Sequence, residues 1–495
     1  MVKEPDVKEG EPPGPVAPKL WPFIPPLTGL TGIVWAYFAV NTGILGDVFG
    51  ILPAVLLISP SLSNVFSGGD ARLSQFMCLG AFLGIVFSFP MMFVAGIYVG
   101  VVLLVLSAVS FVAAGYLAVG EVPVPPDVPE PEMGVKLSAR AAGDEVKMIA
   151  IILTTWPHAV GSVAKRVSRE VDETLELFKE NGWLKEPGRF HREPPPAENL
   201  TCKEFQHKGW NMEHLSFESG YEPWPDEPGR DRWLSNQDNR TAHALTLRHR
   251  EENRPWLVCI HGLRNGSPHK SDDLFQPEFL HEELGLNLLF PYLPRHGPRR
   301  RGMVSGSPLL SGDMMELLHA GAQGSWDIRR LLSWLRLPEQ AAPTVGVLGH
   351  SMGGYTAALL ASLDDNIDGV VCANPSVEPS HMFWRDGLSA ATRYLKTNGT
   401  TQKKSDQLLR VVSPLAFEPR VPKEGRAVIA SLADRIIPAS EPHSLWQHWD
   451  QPRVLWHQGT HFGLLRTPKG KDAVRETLRD AGVLDGFSPE NARER

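Results

Sequence analysis

The sequence predicts an α/β protein, a mainly parallel sheet with helices on both faces, preceded by transmembrane helices. Three observations carry this. Beyond about residue 240, short apolar runs alternate with helix-like segments, the pattern of strands joined by helical crossovers. Residues 73–120 form an uncharged run of 48 residues, enough for two bilayer crossings at about 20 residues each. Third, Gly349-His350-Ser351-Met352-Gly353 stands between an apolar run at 344–348 and a helix-like run at 355–363. There a strand turns sharply into a helix with a serine at the apex.

Composition narrows the field. A chain of 495 residues has room for two to four domains. Its net charge of −7 argues against a nucleic-acid protein, which would carry a basic excess. Cys78, Cys202, Cys259 and Cys372 are scattered with no CxxC pair, which argues against a zinc site or redox dithiol. Cys259 and Cys372 lie in apolar runs and read as reduced core residues. Residues 1–19, rich in Pro, Glu and Lys, read as a disordered tail and not as a signal peptide, because no short apolar core follows directly.

The transmembrane region is 20–120, where the charged residues are Asp47, Asp70 and Arg72. Three spans are expected: 28–46, then two within 73–120, divided at Pro90 or in the 96–100 region. A fourth at 49–67 is open, because its apolar heart is short and is followed by Ser-Pro-Ser-Leu-Ser-Asn. Asp47 falls near a span end and reads as interfacial. No polar pairs expected of a transporter stand out, so the region reads as an anchor in the bilayer. With four spans, Lys3, Lys8 and Lys19 share a side with Lys136, Arg140 and Lys147, which favours a cytoplasmic catalytic domain; three spans would separate the termini.

Residues 121–236 form a connector. Alternating prolines at 121–133 make a semi-rigid spacer. The apolar stretch 147–156 is too short to span. Val160, Val163, Val167, Val171, Leu175 and Phe178 recur at helical spacing, predicting an amphipathic helix over 158–179 that stops at Asn181-Gly182. Its Lys165, Arg166 and Arg169 could touch lipid headgroups or form an ordinary solvated face. Residues 186–236, rich in Pro, Trp and charge, read as irregular structure wrapped over the domain entrance.

Residues 237–495 form the catalytic domain. Strands are expected at 242–247, on an edge, and at 256–260, 286–291, 344–348, 367–373, 427–432 and 453–457. Helices are expected at 312–335 and 355–363, with a closing helix from 476.

At this point the chain resembles the α/β-hydrolase superfamily over roughly 240–485. The Gly-x-Ser-x-Gly elbow, His261-Gly262-Leu263 completed by Gly266, Asp434 in Ala-Ser-Leu-Ala-Asp-Arg-Ile-Ile-Pro and His461 in His-Gln-Gly-Thr-His-Phe-Gly come in the family's order. The stretch Pro-Arg-His-Gly-Pro-Arg-Arg and the segment before Asp434 look more narrowly like the abhydrolase-domain-18-like hydrolases. The resemblance implies an α/β-hydrolase fold with a cap at about 376–422, Ser351 as nucleophile, His461 as base and Asp434 as acid. Backbone N–H groups of Leu263 and Met352 would form the oxyanion hole. Glu378, after the preceding strand, is the rival acid; His443, His448 and His457 are rival histidines. His261 and His350 read as structural neighbours. His296 and Arg299–Arg301 either line the pocket, bind an acidic head group, or belong to a solvated loop. Phe383, Trp384 and Tyr394 give the cap an apolar underside or pack onto the core.

Serine is a weak nucleophile without a positioned base. His461 would take its proton, and Asp434 would fix the imidazole and stabilise the imidazolium. This chemistry needs no cofactor and no metal. The leading reading is therefore a membrane-anchored serine hydrolase (esterase- or lipase-like) cleaving ester or thioester bonds, with lipids suggested by the anchor. Acyltransferase or peptidase activity would use the same triad. The competing class is a catalytically inactive hydrolase fold serving as a membrane scaffold or receptor, which predicts a damaged triad; neither triad nor oxyanion motif is damaged here.

Overall fold

The computed structural model describes residues 21–485, apart from 68–70, 156, 252 and 341; the tail at 1–19 lies outside the described residues. The chain forms two compact units. One comprises residues 1–149 with 433–440, the other 150–432 with 441–495.

The first unit is helical: α1 (Ile24–Asn41), α2 (Gly43–Ser67), α3 (Ala71–Val94), α4 (Ile97–Gly120) and most of α5 (Val135–Leu153). Among the described residues, three segments, Gly43–Phe66, Arg72–Val94 and Ile97–Gly120, are long and apolar enough to cross a membrane by length and composition. This corrects the expected borders. The chain breaks at Thr42–Gly43, where Gly43 takes φ 71°, so the span expected at 28–46 is divided, and the doubtful segment 49–67 lies within a full-length helix. The helix runs on through Ser61 and Asn64 because both turn inward, 3 % and 1 % exposed, and Ser61 Oγ bonds the Leu57 carbonyl at 2.6 Å and Thr28 Oγ1 at 2.8 Å. Likewise α3 passes through Pro90, and the turn falls at Gly96, φ 95°.

Polar pairs do join these helices, contrary to the expectation from sequence. Trp35 Nε1 donates to Ser107 Oγ (2.9 Å) and Ser110 Oγ to Thr31 Oγ1 (2.8 Å). Such small hydroxyl contacts are ordinary glue between apolar helices.

The second unit opens with α6 (Ser162–Glu180), whose apolar face is buried: Val167, Val171 and Phe178 are fully buried. Arg166 does not face outward; it pairs with Glu170 at 2.6 Å and Asp313 at 2.7 Å. The segment expected to be irregular holds a hairpin, β1 (Thr201–His207) and β2 (Trp210–Glu218), and the short helix α7 (Arg230–Leu234). Then follow β3 (Thr241–Leu247), β4 (Trp256–Ile260), α8 (Pro268–Phe275), β5 (Asn287–Pro291), α9 (Met314–Leu335), β6 (Val345–His350), α10 (Met352–Leu363) and β7 (Gly369–Ala373). Three short helices, α11 (His381–Asp386), α12 (Ser389–Thr397) and α13 (Gln402–Leu409), occupy the cap interval. The chain ends with β8 (Arg426–Ser431), α14 (Ser440–His448), β9 (Arg453–His457) and α15 (Pro468–Asp480).

Among the described residues, nine strands form one sheet in the order β1-β2-β3-β5-β4-β6-β7-β8-β9. β4 to β9 are mutually parallel, while β1, β2 and β3 add on antiparallel. Thus β3 is interior, not an edge, and the hairpin takes the edge position. β4 to β8 are buried along their whole length, as expected of parallel strands covered on both faces. The final helix starts at Pro468, not near 476: Thr467 Oγ1 accepts from Gly470 N–H at 3.1 Å, and Pro sits at its first position.

Candidate active site

Ser351 stands where β6 meets α10, with φ 59° and ψ −121°, a combination that L-residues rarely adopt and that costs about 1–3 kcal/mol. Its N–H is tied to the Ala373 carbonyl at 2.9 Å, and the residue is 6 % exposed. The two elbow glycines are dictated by space. A Cβ at Gly349 would stand 2.0 Å from Gly353 O, and one at Gly353 would stand 1.9 Å from Ile260 O. No side chain fits at either.

The His-Gly-Leu loop closes on the serine. A Cβ on Gly262 would lie 3.1 Å from Ser351 Cβ and 3.6 Å from Ser351 Oγ, so this loop passes beside the hydroxyl, with Leu263 next in the chain. His261, 3 % exposed, is fixed by the Leu293 N–H on its Nε2 (3.3 Å). Gly266, φ 118°, is needed because a Cβ there would meet Gly297 N at 2.5 Å. Met352 is the first residue of α10, so its peptide lies at the positive end of that helix.

His461 follows β9 and is 3 % exposed. Its carbonyl accepts two hydrogen bonds, from His350 Nε2 at 3.0 Å and Asn374 Nδ2 at 3.0 Å. His350 is the residue before the serine, and Asn374 follows β7. Both donors sit at the C-terminal ends of neighbouring strands, which brings His461 to the same end of the sheet as Ser351. His350 itself is held neutral, its pKa pushed down to about 3 by burial and by the neighbouring His461. Asn374 is a residue that sequence reading missed. It spans β7 and β8, accepting from Ser431 N–H at 2.7 Å while donating to His461. Its signal in the sequence is small: a left-handed Asn, φ 43°, between strand and proline.

Asp434 lies in the turn after β8, 2 % exposed. Its Oδ1 accepts from the backbone N–H groups of Ile436 and Ile437, each at 2.8 Å, which fixes the carboxylate's orientation.

The rival residues have the following surroundings. Glu378 and His381 sit at the start of the cap, where His381 Nε2 lies 3.7 Å from Asp406 Oδ1. His448 Nε2 donates to the Phe417 carbonyl at 2.8 Å. His443, on α14, faces the rings of Trp446 and Trp456. His457 ends β9. Arg299 is no head-group ligand: it is fully buried, pairs with Asp327 at 2.8 Å and donates to the Tyr292 and Asn239 carbonyls. His296 is fully buried too, while Arg300 and Arg301 are exposed. In the cap, Phe383 is 1 % exposed and packs in the core with Ala159 and Tyr355, whereas Tyr394 is 46 % exposed.

Among the described residues, two groups of side chains could hold a metal ion by donor type and spacing, His207 with His269 and Asp272, and Glu378 with His381 and Asp406. In the first, Lys208 Nζ lies 3.4 Å from Asp272 and supplies a counter-charge. Neither group includes a residue of the Ser351 site.

Residues 255–403 match the family model described as alpha/beta hydrolase fold. The chain is 36 % identical over 372 residues to two proteins of Mycobacterium tuberculosis, uncharacterized protein MT2702 of strain CDC 1551 / Oshkosh and uncharacterized protein Rv2627c of strain H37Rv. The match covers 75 % of this chain and 88 % of each relative. Among solved structures, acetyl xylan esterase 1 from Thermoanaerobacterium sp. JW/SL YS485 is similar at 15 % identity and a TM-score of 0.43, over 61 % of this chain and 93 % of that one.

Proposed function

The chain belongs to the α/β-hydrolase superfamily, and on that premise we propose that it is a membrane-anchored serine hydrolase cleaving carboxylic ester or thioester bonds. One observation carries the reading: a strained serine at the strand–helix elbow has the Gly262 loop packed beside its hydroxyl and His461 held at the same strand ends. In this mechanism His461 takes the Ser351 proton as Oγ attacks the acyl carbon. The leaving group departs with that proton, and water then releases the acyl group by the same route. Asp434 keeps the imidazole in its productive tautomer. The Leu263 and Met352 N–H groups hold the oxyanion, each worth about 3–4 kcal/mol at the transition state.

Three helices of membrane-crossing length support the anchor. A bilayer-delivered ester, with lipids foremost, is the substrate class such tethering favours; a cytoplasmic catalytic domain follows from the basic flanks only if α1 crosses as a fourth span, because three spans separate them. A fluorophosphonate probe tests the reading. The wild-type protein should be labelled and Ser351→Ala should not. Equal labelling of both would refute the site. A folded wild type that resists the probe would instead indicate an inactive scaffold.

A further inference from the structure

We infer that His207, His269 and Asp272 form a Zn2+ site that ties the β1–β2 hairpin to α8, the helix that follows the His-Gly-Leu loop. The site lies wholly within the sheet unit. Its existence is independent of the serine-hydrolase reading; its effect on activity rests on that reading.

The donors come from two elements. His207 is the last residue of β1, before the turn at Lys208-Gly209. His269 and Asp272 lie on α8, and their i, i+3 spacing puts them on one face. The hairpin and α8 are already neighbours: Phe205 and Trp210 pack on the apolar cluster that contains Phe275. His207 Nε2 and Asp272 Oδ2 are 2.5 Å apart, and the ring centroids of His207 and His269 are 4.5 Å apart. One donor atom from each residue falls within 4.8 Å of the other two. Around tetrahedral Zn2+, bonds of about 2.0–2.2 Å set donors roughly 3.3–3.5 Å apart. His207 and Asp272 need to part by about 1 Å to admit the ion, and His269, which is exposed, has room to turn inward. Zn2+ would take the His207 Nε2 lone pair, with that ring's proton on Nδ1. Water would fill the fourth position.

Chemistry selects the metal. Two imidazoles and one carboxylate suit a borderline cation such as Zn2+, whereas Mg2+ and Ca2+ prefer oxygen donors. No cysteine takes part, so the scattered thiols do not bear on it. His207 and Asp272 are 8 % and 7 % exposed, and a buried carboxylate needs a partner. Lys208 Nζ, 3.4 Å from Asp272, is the competitor, but its side chain is 49 % exposed and can turn into water when the ion binds. The other candidate group, Glu378, His381 and Asp406, has one imidazole, and its Asp406 already accepts from Ser380 Oγ at 2.5 Å.

The tie would act on the loop before α8. The helix is 8 residues long, and its N-cap, Ser267, makes no side-chain capping bond. Phe275, at the far end, is buried in the core. A metal at His269 and Asp272 would hold the near end against the hairpin, and with it the run Asn265-Gly266-Ser267 that leads back to Leu263.

Full-length protein in detergent micelles, stripped with EDTA and dialysed, tests this by Zn2+ titration against a chromophoric chelator. The wild type should bind Zn2+ at this site, and its Tm should rise by a few degrees at about 100 times Kd. His269→Ala, at an exposed position, and Asp272→Asn, similar in shape, should weaken binding at least about tenfold, the least that loss of a supporting group costs. Lys208→Met should bind Zn2+ at least as tightly as the wild type. Co2+ should give the visible bands of a tetrahedral nitrogen–oxygen site without thiolate charge-transfer absorption, and His269→Ala should lose them. Should Asp272→Asn fail to fold, His269→Ala and the Co2+ spectrum decide. The proposal is overturned by a wild type that does not bind, by equal binding in all variants, by a weaker site in Lys208→Met, or by a site that is lost in His381→Ala and kept in His269→Ala. Saturating Zn2+ should also raise the fluorophosphonate labelling rate of the wild type about two- to tenfold and leave that of His269→Ala unchanged. If Zn2+ binds but moves neither rate, or both equally, the positioning role falls. A folded wild type that binds Zn2+ and takes no probe would refute the serine-hydrolase reading and leave the metal site standing.

Discussion

Adding one methyl group at Gly262 tests whether the His-Gly-Leu loop serves the reacting serine. Gly262 does not have a positive φ, so alanine brings no backbone strain. Its Cβ would stand 3.1 Å from Ser351 Cβ and 3.2 Å from the His350 carbonyl oxygen. Carbon contacts normally rest at about 3.5–4.0 Å, so the loop must retreat by roughly half an ångström. Mild overpacking of this kind costs about 1–3 kcal/mol, a fall of a few degrees in Tm. Oxyanion donors act over a narrow window of about 2.7–3.1 Å, and losing one costs about 10²- to 10³-fold in kcat. A partial retreat of Leu263 should therefore lower kcat about 10- to 100-fold in a protein that is still folded. Gly353→Ala gives the opposite balance. Its Cβ would lie 1.9 Å from the Ile260 carbonyl oxygen; both sides of that clash are backbone, so β4 and α10 would have to separate, and little folded protein should remain. The assays are thermal unfolding and fluorophosphonate labelling of each variant. A folded Gly262→Ala protein that labels within threefold of wild type would falsify the placement of the oxyanion loop, and a normal Tm for Gly353→Ala would refute the elbow packing.

Arg299→Met removes one partner of a fully buried ion pair and should destabilise the fold by about 3–5 kcal/mol; a double substitution at exposed Arg300 and Arg301 should change Tm by less than a degree or two, and equal effects would contradict the buried placement. Glu227, 3 % exposed, has its pKa pushed up to about 7 by burial. Its folded value exceeds its unfolded one, so its contribution to stability is present at low pH and is lost as pH rises from about 4.5 through 7. Glu227→Gln should therefore gain stability relative to wild type at pH 8, by an amount up to about 3 kcal/mol, and show no gain at pH 4; chemical denaturation at the two values measures it, and a pH-independent difference would count against the buried carboxylate.

How much of this the sequence showed follows from what each segment buries. The strands β4 to β8 are covered on both faces, so they appear as unbroken apolar runs and were readable to within a residue or two. The hairpin β1–β2 was not, because β1 is exposed along most of its length and carries Lys203, Glu204 and Gln206; its one clear mark is Lys208-Gly209, both at positive φ (49° and 87°), which suits a two-residue turn. α5 was seen only as a short apolar stretch. Its acidic Asp144 and Glu145 look like solvent-facing residues, yet both are buried, and nothing local announces that Glu145 meets an arginine 290 positions away. The membrane-region borders failed for a similar reason: Ser61 reads as part of a helix end until its inward partners, the Leu57 carbonyl and Thr28, are known. The strand–serine–helix elbow was legible because both flanking elements are apolar, and Asp434 and His461 could be proposed as its partners because the fold imposes an order along the chain. Asn374 has partners, Ser431 N–H and the His461 carbonyl, that only the topology brings near.

The remaining choice is between two carboxylates for the acid. Glu378 follows β7 and lies in an acidic neighbourhood with Asp406 and Glu441 beside His381; burial first, then those two carboxylates, push its pKa up to about 7, with His381 opposing. A group near half-protonation at neutral pH is a poor permanent counter-charge for an imidazolium. Asp434 is different in kind. Two backbone N–H groups hold its Oδ1 in one orientation. If Asp434 is the acid, Asp434→Asn should reduce kcat by up to about 10⁴-fold, as expected when the histidine loses the tautomer it needs, and Glu378→Gln should stay within about threefold. Glu378→Gln should also lift the like-charge repulsion around Glu441 and raise Tm slightly above pH 7. A large loss of kcat in Glu378→Gln, with Asp434→Asn near wild type, would transfer the acid to the strand before and with it the geometry required of His461.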